Sequence, residues 1–138
     1  FIDCCHSGAA SAKVGERALT RNQTRGFSQN GFGPVVVAAC APHQLSWETG
    51  DTAATRGGLF SREVALTLGD KFADADKNRD GALSVQEFFL AVRAGTEKGA
   101  TTIVDDLGKP VQQTPQISPV PDRLAEMILT KKSLTKPK

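Results

Sequence analysis

The clearest apolar run in the chain is Pro34-Val35-Val36-Val37-Ala38-Ala39-Cys40. It is β-branched and has no polar alternation, which predicts a strand covered on both faces in an α/β sheet. A shorter run, Phe1-Ile2-Asp3-Cys4-Cys5, predicts the end of another buried strand, broken by His6-Ser7-Gly8. Residues 9–33 mix Gly, Ser, Asn and Gln with Lys13, Arg17, Arg21 and Arg25; a short helix fits 9–19 and an exposed loop fits the remainder. Past the polar stretch 41–58 the hydrophobic period lengthens. Ser61 is placed to cap a helix with Glu63 in its first turn, and Val64, Leu68 and Phe72 form an i, i+4, i+8 stripe. A second helix is predicted over 85–94, with Gly95 ending it. Residues 101–104 read as a strand and Gly108-Lys109-Pro110 as a turn. Residues 111–121 read as an extended segment, 122–129 as a short helix capped by Asp122, and the Lys-rich end as disordered.

Charge and cysteine content narrow the classes. The 138 residues allow one domain or a piece of one. The net charge is +2, but Lys131, Lys132, Lys136 and Lys138 all lie in the last eight residues, so leaving them out takes it to −2. A mildly acidic body with a basic tail lacks the stripe of a nucleic-acid-binding surface. No apolar run approaches the roughly 20 residues of a membrane span, and the first eight residues hold no Lys or Arg. Three cysteines, Cys4, Cys5 and Cys40, do not make a disulfide framework and favour a reducing, cytoplasmic setting or a working thiol. With no Met at position 1 and a strand already under way, the expectation is that a longer protein continues N-terminal to Phe1.

Two motifs carry chemistry. Asp76-Lys77-Asn78-Arg79-Asp80-Gly81-Ala82-Leu83-Ser84-Val85-Gln86-Glu87 matches the EF-hand calcium loop at each diagnostic position. Asp76, Asn78 and Asp80 stand at positions 1, 3 and 5. Gly81 stands at position 6, where the chain turns sharply. Ala82 offers a backbone carbonyl, Ser84 a water-bridged contact and Glu87 a bidentate carboxylate. Starting at Asp74 instead puts Arg79 at the glycine position and Val85 at the glutamate position, so the register is fixed. An all-oxygen donor set on a loop suits Ca²⁺ better than Mg²⁺. Only one such loop is present, so it lacks the second hand that usually stiffens it.

The other motif is Asp3-Cys4-Cys5-His6-Ser7-Gly8 after an apolar strand. It resembles the nucleophile motif of caspase-like cysteine peptidases, in particular the metacaspases and their bacterial relatives. The resemblance continues through Ala38-Ala39-Cys40, Gln44, Ser46 and Glu48, then Gly58-Leu59-Phe60-Ser61, and ends near Gln113-Thr114-Pro115-Gln116. It implies an α/β fold, the C-terminal half of a three-layer αβα sandwich, over residues 1–118. Within that span 9–33 would be the inter-subunit loop and 61–95 an inserted EF-hand-type helix-loop-helix, followed by a short helix and basic tail at 119–138.

The resemblance also implies that Cys5 is the nucleophile and that Asp3 lines a pocket for Arg or Lys in a polypeptide substrate. Strand alternation agrees: Asp3 and Cys5 share one face, while Cys4 falls with Ile2 on the other. In the family the base that makes the thiolate is a histidine on an earlier strand. Neither His6, adjacent to Cys5, nor His43, in a loop, is tied to the thiol by a local pattern. The expectation is therefore a cysteine endopeptidase whose missing N-terminal half supplies the histidine, with residues 1–138 inactive alone. Lys13, Arg17, Arg21 and Arg25 then become candidate self-cleavage sites. The alternative from another class is a calcium-binding regulatory or interaction module on an inactive protease-like scaffold. Trp47 and Cys40 are expected to be packing residues.

Overall fold

The computed structural model describes residues 35–50, 57–118 and 124–132. Asp3, Cys4, Cys5, His6 and the 9–33 loop lie outside the described residues. The described part mixes helices with three separate two-stranded antiparallel sheets, so the expected α/β character holds.

Strand β1 (Val36–Ala38) forms where the sequence is most β-branched, and it pairs with β5 (Gln116–Ser118) in the register Val37 to Ile117. Val37 and Ala38 point to opposite faces, yet both are buried, as an apolar run without alternation predicts. Strands β2 (Glu48–Thr49) and β3 (Gly57–Gly58) form a second ribbon that delivers the chain into helix α1 (Leu59–Leu68). A short helix α2 (Phe72–Ala75) follows, then β4 (Ala82–Ser84), then the long helix α3 (Val85–Ala100). Strand β6 (Ile128–Lys131) returns to pair with β4.

The core sits between α1, α3 and β1. Phe60 of α1 meets Phe88, Phe89 and Val92 of α3 over Val37 and Ala39. A second cluster joins Leu59, Ala100 and Val111, with Trp47 and Ile103 packed against it, so Trp47 is a packing residue as expected. Leu83, fully buried, packs with Phe72 and Ala75.

Five local expectations are corrected. Residues 101–104 form no strand: 101–102 are a turn and Val104 makes only an isolated bridge to Pro110. Helix α3 does not end at Gly95 but runs to Ala100. A Cβ on Gly95 would overlap the Glu63 carboxylate of α1, and one on Gly99 would stand 2.6 Å from Leu59 Cδ1. These glycines serve close helix approach rather than termination. Helix α1 starts at Leu59 rather than after a Ser61 cap, and its first amide, the Leu59 N–H, donates to Trp47 O at 2.8 Å. The 64/68/72 stripe is also broken. Helix α1 ends at Leu68 with Gly69 as its C-cap, Leu68 is exposed, and Phe72 stands on a separate helix. Finally, of the helix expected over 122–129, Asp122 and Arg123 lie outside the described residues, and the rest is a turn at 124–126 followed by β6. Met127 O and Leu124 O accept from Val85 N and Gln86 N, so pairing with the start of α3 overrides the local helical pattern.

Candidate metal centre

Residues 76–87 run from the end of α2 through β4 into the first turn of α3. The helix before this loop is interrupted, with α1 ending at Leu68 and only the four-residue α2 leading in. Gly81 has φ +79°, the left-handed region that a Cβ disfavours, and no atom lies within 4 Å of where its Cβ would stand. The glycine is therefore required by backbone conformation and not by space. Arg79, at φ 59°, also takes the left-handed region and sharpens the turn.

The polar side chains hold the loop by accepting from its own amides. Asp76, itself buried, accepts from Asp80 N at 3.2 Å on one oxygen and from Gly81 N at 2.9 Å on the other. Asn78 Oδ1 accepts from Asp80 N at 3.0 Å, and Asn78 Nδ2 donates to Asp80 Oδ2 at 3.0 Å. Asp80 Oδ1 accepts from Ala82 N at 2.8 Å.

Ser84 and Glu87 close the far end. Ser84 caps α3 through a capping box: its hydroxyl accepts from Glu87 N, while Glu87 Oε2 accepts from Ser84 N. The other Glu87 oxygen reaches across the loop to accept from Lys77 N at 3.1 Å and Asn78 N at 3.3 Å. The Ser84 hydroxyl, then the Ser84 N–H, with help from Asn78 and Lys77 amides, hold the Glu87 carboxyl below its ordinary value of 4.5, against a smaller opposing effect of burial. Glu87 is ionised at neutral pH.

All six candidate positions, Asp76, Asn78, Asp80, Ala82, Ser84 and Glu87, thus lie on one closed loop. The last of them, Glu87, accepts from the amides of Lys77 and Asn78, the two residues that follow the first, and every candidate ligand atom is an oxygen, the chemistry a hard cation takes. Among the described residues no group of three or more His, Cys, Asp or Glu is arranged to hold a metal ion. The carboxylates face amide hydrogens instead. These are the oxygens that a cation would recruit, so the residues present fit the group by donor type and order.

Two other sets of residues bear on the site. Cys40 is buried and its thiol donates to Gln44 O at 3.3 Å, consistent with a core role, and His43 is exposed. Among the described residues, parts of 39–47 meet 113–114. Gln113, fully buried, donates to Ala39 O and Ser46 Oγ and accepts from Trp47 N at 2.8 Å. Gln44 Oε1 accepts from Thr114 N at 2.8 Å and from Ala41 N. These two glutamines fasten the 41–48 loop to residues 113–114.

Strand β6 was missed by sequence reasoning. The short run Ile128-Leu129-Thr130 was its only signal, and it is too brief to separate from a helix turn. No helix among the described residues is long and apolar enough to cross a membrane. In comparisons with known proteins, no family model, no curated protein and no solved structure matches this chain.

Proposed function

We propose that residues 76–87 bind calcium, within the C-terminal part of a caspase-type cysteine endopeptidase. One observation carries the calcium reading. The loop turns on Gly81 in the left-handed region while Glu87, from the first turn of α3, reaches back to the amides of Lys77 and Asn78. That arrangement sets the twelfth-position carboxylate against the start of the loop. Asp76, Asn78 and Asp80 would supply side-chain oxygens, Ala82 its carbonyl, Ser84 a water-bridged contact and Glu87 both carboxylate oxygens. When bound, Ca²⁺ would supply a fixed positive charge to which these oxygens are held. Calorimetric titration tests this: wild type binds calcium, and Glu87→Gln, which keeps a capping side chain but loses the charge, binds at least about tenfold more weakly. Equal titrations of the two proteins refute it.

The peptidase reading rests on Asp3-Cys4-Cys5-His6-Ser7-Gly8 in the sequence. It is supported by the way β1–β5 pairing and the two glutamines gather the downstream segments of the resemblance into one unit. In this reading Cys5 attacks the scissile carbonyl as a thiolate, a histidine from the preceding part of the protein takes its proton, and the Cys5 N–H helps hold the oxyanion. Asp3 pairs with the Arg or Lys side chain of the polypeptide substrate. An arginine-directed thiol-reactive probe should label the longer protein and fail to label Cys5→Ala. Absence of labelling in wild type, with calcium binding intact, leaves the calcium-binding module on an inactive scaffold.

A further inference from the structure

We propose that strand β6 is the built-in pairing partner of the calcium loop, and that metal binding and β6 docking reinforce each other. The inference rests on the calcium reading of residues 76–87 and adds its regulation.

The contacts between β6 and the loop are made by the main chain. Lys132 N donates to Gly81 O at 2.9 Å, and the register then sets Ala82 opposite Lys131 and Leu83 opposite Thr130. In an antiparallel pair, hydrogen-bonded and non-hydrogen-bonded positions alternate. With Gly81–Lys132 bonded, Leu83–Thr130 is the next bonded pair, and Ala82 falls between them with its N–H and C=O turned away from β6. The Ala82 N–H does point back into the loop, to Asp80 Oδ1. The pairing phase therefore keeps the Ala82 carbonyl available to a cation. Beyond a bulge at Leu83–Ser84, Met127 O accepts from Val85 N at 2.7 Å and Leu124 O from Gln86 N at 3.3 Å. The C-terminal segment thus satisfies open amides of the α3 N-terminus as well as the loop.

Side chains hold β6 weakly. Ile128 is 47% and Leu129 40% exposed, Lys131 and Lys132 are exposed, and Leu124 alone of this segment is a buried hydrophobe. A two-stranded ribbon of this length is marginal in water without a covered apolar face. Its docking depends on β4 being already formed. The shape of β4 depends in turn on Asp76 and Asp80, which grip Gly81 N and Ala82 N. Fixing those carboxylates around a cation fixes β4, which favours β6. By linkage, docked β6 must raise the affinity of the loop for the cation by the same factor.

The test uses the full chain and calcium alone, read by calorimetry and by hydrogen exchange of residues 124–132. Calcium should slow exchange across 124–132 in wild type and not in Glu87→Gln. Thr130→Pro and Lys132→Pro, which leave every ligand in place, should each weaken calcium binding by about fivefold or more. Unchanged exchange of α3 in these variants shows that they fold. If wild type binds calcium but exchange at 124–132 does not change and both proline variants bind normally, the linkage is refuted and the calcium site stands. If wild type takes up no calcium, both fall.

Discussion

Ser84 and Glu87 hold each other at the start of α3: the Ser84 hydroxyl donates to Glu87 Oε2 at 2.7 Å and accepts from Glu87 N at 3.1 Å. The same two side chains serve as helix cap and as candidate cation ligands, so capping pre-sets the far end of the loop. Ser84→Ala should destabilise the metal-free protein by about 1 kcal/mol, the usual worth of a side-chain cap, as read by chemical denaturation. Because Glu87 retains its amide contacts to Lys77 and Asn78, calcium binding should weaken but survive.

Acid should act on this pair in a defined direction. The folded Glu87 pKa lies below 4.5, so its contribution to stability is fully present above about pH 4.5 and is lost as pH falls through the lowered folded value. An NMR pH titration of the metal-free protein should place the Glu87 midpoint below that of an ordinary glutamate. A midpoint at or above 4.5 contradicts the hydrogen-bonded geometry.

Replacing a mid-helix glycine with alanine ordinarily stabilises a helix by up to about 1 kcal/mol. At Gly99 the opposite is expected, because the new Cβ would press on the buried Leu59 side chain. Overpacking of this kind costs about 1–3 kcal/mol, so Gly99→Ala should lower the melting temperature. Gly95→Ala should do the same by displacing the Glu63 carboxylate, which is paired with Lys71 at 2.7 Å.

Gln113→Leu removes the side-chain amide and so strips partners from Ala39 O and Trp47 N. A buried orphan costs about 1–3 kcal/mol, so a loss of that order is expected on thermal denaturation. Trp47 is the chain's one tryptophan, and its emission should move to longer wavelength as the 41–48 loop loosens. An unshifted spectrum with unchanged stability would show that the clamp is dispensable.

The parts of the fold legible in sequence are those fixed by short-range physics. The 34–40 run announced a buried strand, and the position of Gly81 between Asp80 and Ala82 announced a left-handed turn. The six candidate loop positions are proposed from the sequence because each has its place in a twelve-residue pattern. What could not be read depends on partners distant in the chain. Gly95 looks like a terminator until α1 is laid across it, and residues 122–129 look helical until Val85 and Gln86 claim their carbonyls. Ser61 has the chemistry of a cap, but it lies inside a helix whose first amide is taken by the Trp47 carbonyl. Cys5 and Asp3 were legible as a motif, and lie outside the described residues.

The partner of β4 is supplied by the same polypeptide, some 45 residues further on. Its assembly is consequently first order: dilution does not oppose it, and no second molecule has to be recruited. A single peptide-bond cut anywhere in 101–123 would convert this private arrangement into a two-body encounter, leaving the loop's edge open to any extended chain that arrives first.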